Sequence, residues 1–216
     1  MSIRDMIMPP GSIMTSGYDY HLVALSVVVA IVGAYVGLTL SERVTMHEGK
    51  ARYLWLAGGA LAFGSAVWAM HFTGMLAFRL PINVDYDMPI VVLSLVIAVL
   101  AAGVALFTVS RPRVTWRASI AGAAVMGGGI GSMHYLGMFA MRMQASMRWD
   151  LRIVALSAVV AIVLSLVALR LSIRLRAVSS KRFGWQRISA AVVMGTAIAG
   201  MHYTGMAAAT FVPAAS

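Results

Sequence analysis

The chain has 216 residues, 61% hydrophobic and only 11% charged, with a mean hydropathy of +0.87. A water-soluble domain places about a quarter of its residues in charge, so this composition selects lipid as the solvent. The net charge of +10 comes without a broad polar face for nucleic acid and reads as the basic bias of loops beside membrane helices, while the lack of cysteine excludes disulfides and thiolate metal sites.

Apolar runs cover Leu22–Leu40, Leu54–Phe78, Ile90–Val109, Ala118–Met141, Ile153–Leu169 and Ile188–Val212. Each reaches or approaches the roughly 20 helical residues that cross a bilayer. The first is expected to stay as a span rather than be cleaved as a signal peptide, because Arg4 is balanced by Asp5 and no clear Ala-x-Ala site follows. The fifth is the shortest, bounded by Arg152 and Arg170, whose stems can snorkel at the two interfaces. None of the runs alternates as a barrel strand would. The expected fold is an all-α membrane protein of six transmembrane helices, forming a single membrane domain over residues 1–216.

Charge orients these helices. The links after the first, third and fifth spans hold Arg43, Lys50 and Arg52, then Arg111, Arg113 and Arg117, then Arg170, Arg174, Arg176, Lys181, Arg182 and Arg187. The opposite side balances Arg4, Arg79, Arg142, Arg148 and Arg152 against Asp5, Asp19, Asp85, Asp87 and Asp150. Basic links belong in the cytoplasm, so the expectation is a multi-pass protein of the bacterial inner membrane, in contact with anionic lipid, with both termini outside.

The chain also repeats itself. Met70-His71-Phe72-Thr73-Gly74-Met75, Met133-His134-Tyr135-Leu136-Gly137-Met138 and Met201-His202-Tyr203-Thr204-Gly205-Met206 fall in the second, fourth and sixth spans. Tyr18-Asp19, Tyr86-Asp87 and Trp149-Asp150 precede the first, third and fifth. Three copies of one helix hairpin account for this, with units at about 18–79, 86–142 and 149–213. Two spans per unit give every copy the same orientation, so the three imidazoles are expected at one level, with Met75, Met138 and Met206 on the same helix faces. Gly74, Gly137 and Gly205 leave room beside the imidazoles. Gly64, Gly127 and Gly195, seven residues before each His, predict that the three even helices meet at small-residue faces and that the odd helices face lipid.

Neutral imidazole and thioether sulfur without thiolate favour copper, above all Cu(I), over calcium or magnesium. The candidate ligands are His71, His134 and His202 with Met75, Met138 and Met206. Asp19, Asp87 and Asp150 are expected to cap the odd helices and to orient the imidazoles as partners behind the ligands. Haem held by His and Met is a further chemical option, and a purely structural packing of the imidazoles another. No enzyme constellation is present: there is no phosphate-binding glycine loop and no His-Glu-x-x-His run.

At these residues the chain resembles the bacterial MHYT family of integral membrane sensor domains. Met201-His202-Tyr203-Thr204 matches the family's tetrapeptide in full, and the similarity covers roughly residues 18–213. Phe72 and Leu136 depart from it in the first and second copies. The resemblance implies copper at the three His and their flanking Met residues, which adds Met70, Met133 and Met201 to the candidate ligands. It also implies a response to oxygen, carbon monoxide or nitric oxide and a signal passed to a partner signalling protein or metalloenzyme. Because the sequence ends at Ser216, a stand-alone form without an output domain is expected. A copper transporter, or a membrane assembly factor for a metalloenzyme, is the competing expectation.

Overall fold

The computed structural model describes residues 14–176 and 183–213, so Arg4, Asp5, Lys181 and Arg182 lie outside the described residues. Six helices run in chain order: α1 Tyr20–Met46, α2 Gly49–Ala77, α3 Met88–Val109, α4 Trp116–Phe139, α5 Leu151–Arg176 and α6 Phe183–Met206. The shortest has 22 residues and the longest 29, about 33 to 44 Å at 1.5 Å per residue, enough for a hydrocarbon core of about 30 Å. Four of them (α1, α2, α3 and α5) are apolar and long enough to cross a membrane by composition alone. The other two, α4 and α6, hold six and four glycines, which lower their hydropathy, but run beside the rest in the same bundle.

Each odd helix begins at one of the repeated aspartates. Asp19 accepts from the amides of His21 (3.0 Å) and Leu22 (3.4 Å), Asp87 from that of Ile90 (3.5 Å), and Asp150 from that of Arg152 (2.9 Å). A carboxylate here satisfies amides that a helix start leaves unpaired and meets the positive end of its dipole. The backbone amide of each Asp donates in turn to the end of the even helix that follows: Asp19 to Ala77, Asp87 to Ala140 and Asp150 to Ala208, at 2.8, 2.9 and 2.9 Å. Short antiparallel ribbons close the same end. Here β1 (Gly17–Tyr18) pairs with β2 (Phe78–Arg79), β3 (Asp85–Tyr86) with β4 (Met141–Arg142), and β5 (Ala145–Trp149) with β6 (Ala209–Pro213).

The third ribbon corrects the last predicted span. Helix α6 stops at Met206, and the apolar residues Ala209–Pro213 form a strand on Ala145–Trp149; hydrophobicity alone does not separate a helix end from a strand that finds a partner. The fifth span is longer than predicted. Helix α5 continues through Arg170 and Arg174 to Arg176, since arginine is a good helix former.

Neighbouring helices in the sequence pack together, and α6 closes the ring against α1. All six present apolar side chains outward, one from each helix being Val28, Leu61, Leu93, Val125, Val159 and Val193, all more than half exposed. The predicted division into inner even helices and outer odd helices is therefore not what forms. The glycines explain the difference. A Cβ on Gly64 would lie 2.6 Å from the Cα of Val99 in α3, one on Gly127 2.6 Å from that of Ile162 in α5, and one on Gly195 2.5 Å from that of Ile31 in α1. The small-residue face of each even helix thus receives the backbone of the odd helix of the next unit, and three such contacts in cyclic order build the ring.

Candidate metal centre

Inside the ring, α2, α4 and α6 each send one imidazole to the central axis. His71, His134 and His202 are at most 1% exposed. Their Nδ1 atoms form a triangle: His71 to His202 3.0 Å, His71 to His134 3.1 Å, His134 to His202 3.2 Å. The ring planes are inclined to one another by 71 to 85°, like blades of a propeller. The Nε2 atoms point away from the axis and are buried without a hydrogen-bond partner.

This triangle cannot satisfy itself. The Nδ1 of a neutral imidazole either carries a proton and donates or bears a lone pair and accepts. Three mutual contacts among three such atoms leave at least one pair alike, two lone pairs or two N–H groups facing at about 3 Å. In a dry interior such a conflict is expensive. A cation accepted by all three lone pairs removes it. Three nitrogens 3.0 to 3.2 Å apart also lie close to the roughly 3.3–3.4 Å that separates ligands about 2.0–2.1 Å from one tetrahedral metal ion.

The repeated glycines cradle these rings, though not their own. Gly137 faces Nε2 of His71, Gly205 that of His134, and Gly74 that of His202, and in each case a Cβ would overlap the ring. Each imidazole therefore lies in a notch on the next unit's even helix. Sequence spacing placed the glycine beside the wrong histidine, because it sees only neighbours on one helix.

The six candidate methionines are buried too, none more than 3% exposed, and they split into two layers. Met70, Met133 and Met201 join the mid-bundle core with Phe63, Val67, Ile130 and Ile198. Met75, Met138 and Met206 join a second cluster toward the strand end, with Met14, Met141 and Phe211. The imidazole layer thus has thioether-bearing residues on both sides. Met147 packs partly buried against the second cluster. Met14, which sequence reading did not single out, is held there by its amide, which donates to the Phe211 carbonyl at 2.9 Å.

The aspartates do not orient the imidazoles. Asp19 and Asp87 cap α1 and α3 and pair with Arg79 and Arg142, each at 2.6 Å, and Asp150 caps α5. None of the three hydrogen-bonds to His71, His134 or His202, whose Nδ1 atoms meet one another and whose Nε2 atoms have no partner. The bond to Arg79 lowers the Asp19 pKa and that to Arg142 lowers the Asp87 pKa. His47 is also outside the centre, against the Arg43 carbonyl at 2.7 Å.

A further ring of contacts surrounds the triangle. Ser26 in α1 bonds to the hydroxyl of Tyr203 at 2.8 Å, Ser157 in α5 bonds to that of Tyr135, and Ser94 in α3 accepts from the indole of Trp68 at 3.1 Å. Each bond joins an odd helix to the even helix of the preceding unit. Tyr135 and Tyr203 follow His134 and His202 directly and touch their rings edge-on, as Phe72 does His71. Phe72 has no hydroxyl, and Trp68 one turn earlier supplies the donor where the other copies hold Gly131 and Ala199. The signal for these serines was an Asp-x6-Ser spacing at 19/26, 87/94 and 150/157.

Comparison with known proteins accords with this architecture. The sequence profile MHYT, described as "Bacterial signalling protein N terminal repeat", matches three times, at residues 7–58, 64–122 and 127–191. Over 92% of its length the chain is 45% identical to the bifunctional diguanylate cyclase/cyclic di-GMP phosphodiesterase MucR of Pseudomonas aeruginosa, and over 88% it is 41% identical to the cyclic di-GMP phosphodiesterase NbdA of the same organism. Over 90% it is 34% identical to the signaling protein YkoW of Bacillus subtilis. The chain spans 29%, 24% and 24% of those relatives, respectively. No solved structure matches it. With three profile repeats along the chain and its six-helix, three-unit ring, the protein belongs to the MHYT family of bacterial signalling-protein membrane domains.

Proposed function

We propose that this chain is a membrane sensor module in which His71, His134 and His202 hold one copper ion through Nδ1 and the surrounding methionines supply soft donors. The observation that carries this reading is the Nδ1 triangle, whose three contacts no choice of neutral tautomers can satisfy. Thioether layers on both sides and the absence of thiolate favour Cu(I). Copper, when bound, supplies a redox-active centre to which oxygen, carbon monoxide or nitric oxide can bind. The chain's own part is to hold three imidazoles in glycine notches and to exclude water. Tyr135, Tyr203 and the Trp68–Phe72 pair, touching the rings on one side and an odd helix on the other, carry a shift of the imidazoles to the interfaces between units.

The output is a partner protein reached from the membrane domain; the cyclic di-GMP enzymes among the relatives indicate the kind of signalling such a domain serves. The basic links, including Arg43, Arg52, Arg111 and Arg117, favour a cytoplasmic side for that end of an inner-membrane protein, with the ribbons and both termini outside. The competing copper transporter, or assembly factor for a metalloenzyme, is less favoured. Met14 and Met141 extend the strand-side cluster, whereas deeper in the bundle the buried Met126 and Met194 have no second set of histidines beside them.

The test is copper per protein, with X-ray absorption at the copper edge, for the parent and for a variant carrying His71→Ala, His134→Ala and His202→Ala. Stoichiometric copper with nitrogen and sulfur neighbours, lost in a folded variant, is the expected result. Negligible copper in protein purified gently from copper-replete membranes overturns the reading, and copper uptake into proteoliposomes would replace it with transport.

A further inference from the structure

At the basic end of the bundle a groove of about 580 Å³ opens between α4 and α5, lined by Trp116, Leu166, Val167, Arg170, Ile173 and Arg174 among others. Its mouth is cationic and its walls are apolar. Arg170 and Arg174 lie one turn apart on the same face of α5. The Arg170 guanidinium stacks on the Trp116 ring at 3.8 Å, and its Nε is buried without a hydrogen-bond partner. Among the described residues, no carboxylate lines the groove. Trp116 is the first residue of α4, so the positive end of that helix lies at the same mouth.

The repeat provides an internal control. At the offset of Arg174 from Asp150, the other units hold Arg111 and Arg43, a basic residue in all three copies. At the offset of Arg170 they hold Phe107 and Thr39. The equivalent groove between α2 and α3, about 430 Å³, is lined by Phe107, Leu100, Val104 and Leu61 without a charge. Arg170 is thus a cation that the α2–α3 groove lacks, one turn deeper in the bundle than the arginine shared by all; between α6 and α1, Arg187 reaches Thr39 but is already paired with Glu42. A charge inside a membrane segment is costly and needs a partner, and no described residue supplies one to its Nε.

We infer that this groove is a binding site for one anionic phospholipid, the headgroup phosphate against Arg170 and Arg174 and an acyl chain along Leu166, Val167 and Ile173. Leu166 to Arg174 spans about 12 Å of helix, the run from interface into hydrocarbon that a phospholipid offers. A free phosphate would meet the same guanidinium groups but gain nothing from the apolar walls. Arginine suits the anion because its planar donors pair with phosphate bidentately. The site is independent of the metal centre.

The experiment is native mass spectrometry of the whole chain in mild detergent with phosphatidylglycerol or phosphatidylcholine, with glycerol phosphate as free competitor. One phosphatidylglycerol is expected to remain per chain, at least tenfold preferred over phosphatidylcholine, undisplaced by glycerol phosphate, and lost in Arg170→Gln. Arg170→Phe, which copies the residue of the α2–α3 groove, gives the same loss if the Gln variant fails to fold. Equal retention of the two lipids, retention in the folded Arg170 variant, or displacement by glycerol phosphate would each overturn the assignment.

Discussion

Adjacent glycines in α4 give a direct test of the ring. Gly127 and Gly128 have the same helical context, but a Cβ on Gly127 would lie 2.6 and 2.7 Å from the backbone of Ile162, whereas one on Gly128 meets nothing within 4 Å. Alanine at either position gains up to about 1 kcal/mol of helix propensity. At Gly128 that gain stands alone. At Gly127 the contact has to open to a normal separation of about 3.5–4 Å, and its neighbour is backbone, so α4 and α5 must part. Overpacking of this kind costs about 1–3 kcal/mol, which makes Gly127→Ala less stable than Gly128→Ala by about that amount. At roughly 2–4 °C per kcal/mol for a domain of this size, the two variants should unfold some 2–12 °C apart, read by thermal denaturation in one detergent. Gly64→Ala and Gly195→Ala should behave as Gly127→Ala does, because their Cβ atoms would meet Val99 and Ile31 in the same way. If Gly127→Ala unfolds at or above the temperature of Gly128→Ala, the close packing of each even helix on the next unit is refuted.

Other consequences can be measured on the same material. The three atoms nearest a Cβ on Gly137 all belong to the His71 ring rather than to backbone, so Gly137→Ala should keep the fold better than Gly127→Ala while losing whatever metal the parent binds; unchanged metal content would contradict the notch. Trp68→Gly should lower the unfolding temperature, and adding Phe72→Tyr should recover part of the loss, about 0.5–1.5 kcal/mol, by giving Ser94 the tyrosine partner that Ser26 and Ser157 have; a double variant no better than the single would show that position 72 does not reach Ser94. Asp19 and Asp87 have lowered pKa values from Arg79 and Arg142, so their contribution is present above the unfolded carboxyl value of about 3.9. It should fade as pH falls through the lowered folded values, and Arg79→Gln with Arg142→Gln should blunt this loss in an acid titration of stability. Because the chain has no cysteine, Asn83→Cys and Arg113→Cys report orientation directly: an impermeant maleimide should label the first in intact spheroplasts and the second only after lysis.

Much of this protein was legible in its sequence. Apolar runs of membrane length determine helices whatever their neighbours, because backbone groups in lipid must bond within the segment. The threefold His–Met motif, with two spans per unit, determined that three imidazoles share one level. The Asp residues cap helices through amides two or three residues away, a local interaction that spacing reveals. What lay beyond reach was every relation between units. Only the tertiary structure decided that Gly64, Gly127 and Gly195 receive the odd helix of the next unit rather than one another. The same holds for Gly137 serving His71, and for Trp68 standing in for a missing tyrosine hydroxyl opposite Ser94. It likewise turned Ala209–Pro213 from a helix end into a strand. The reason is common to all of them: helical periodicity reports which residues share a face, and the partner of that face is chosen by how six helices close into a ring.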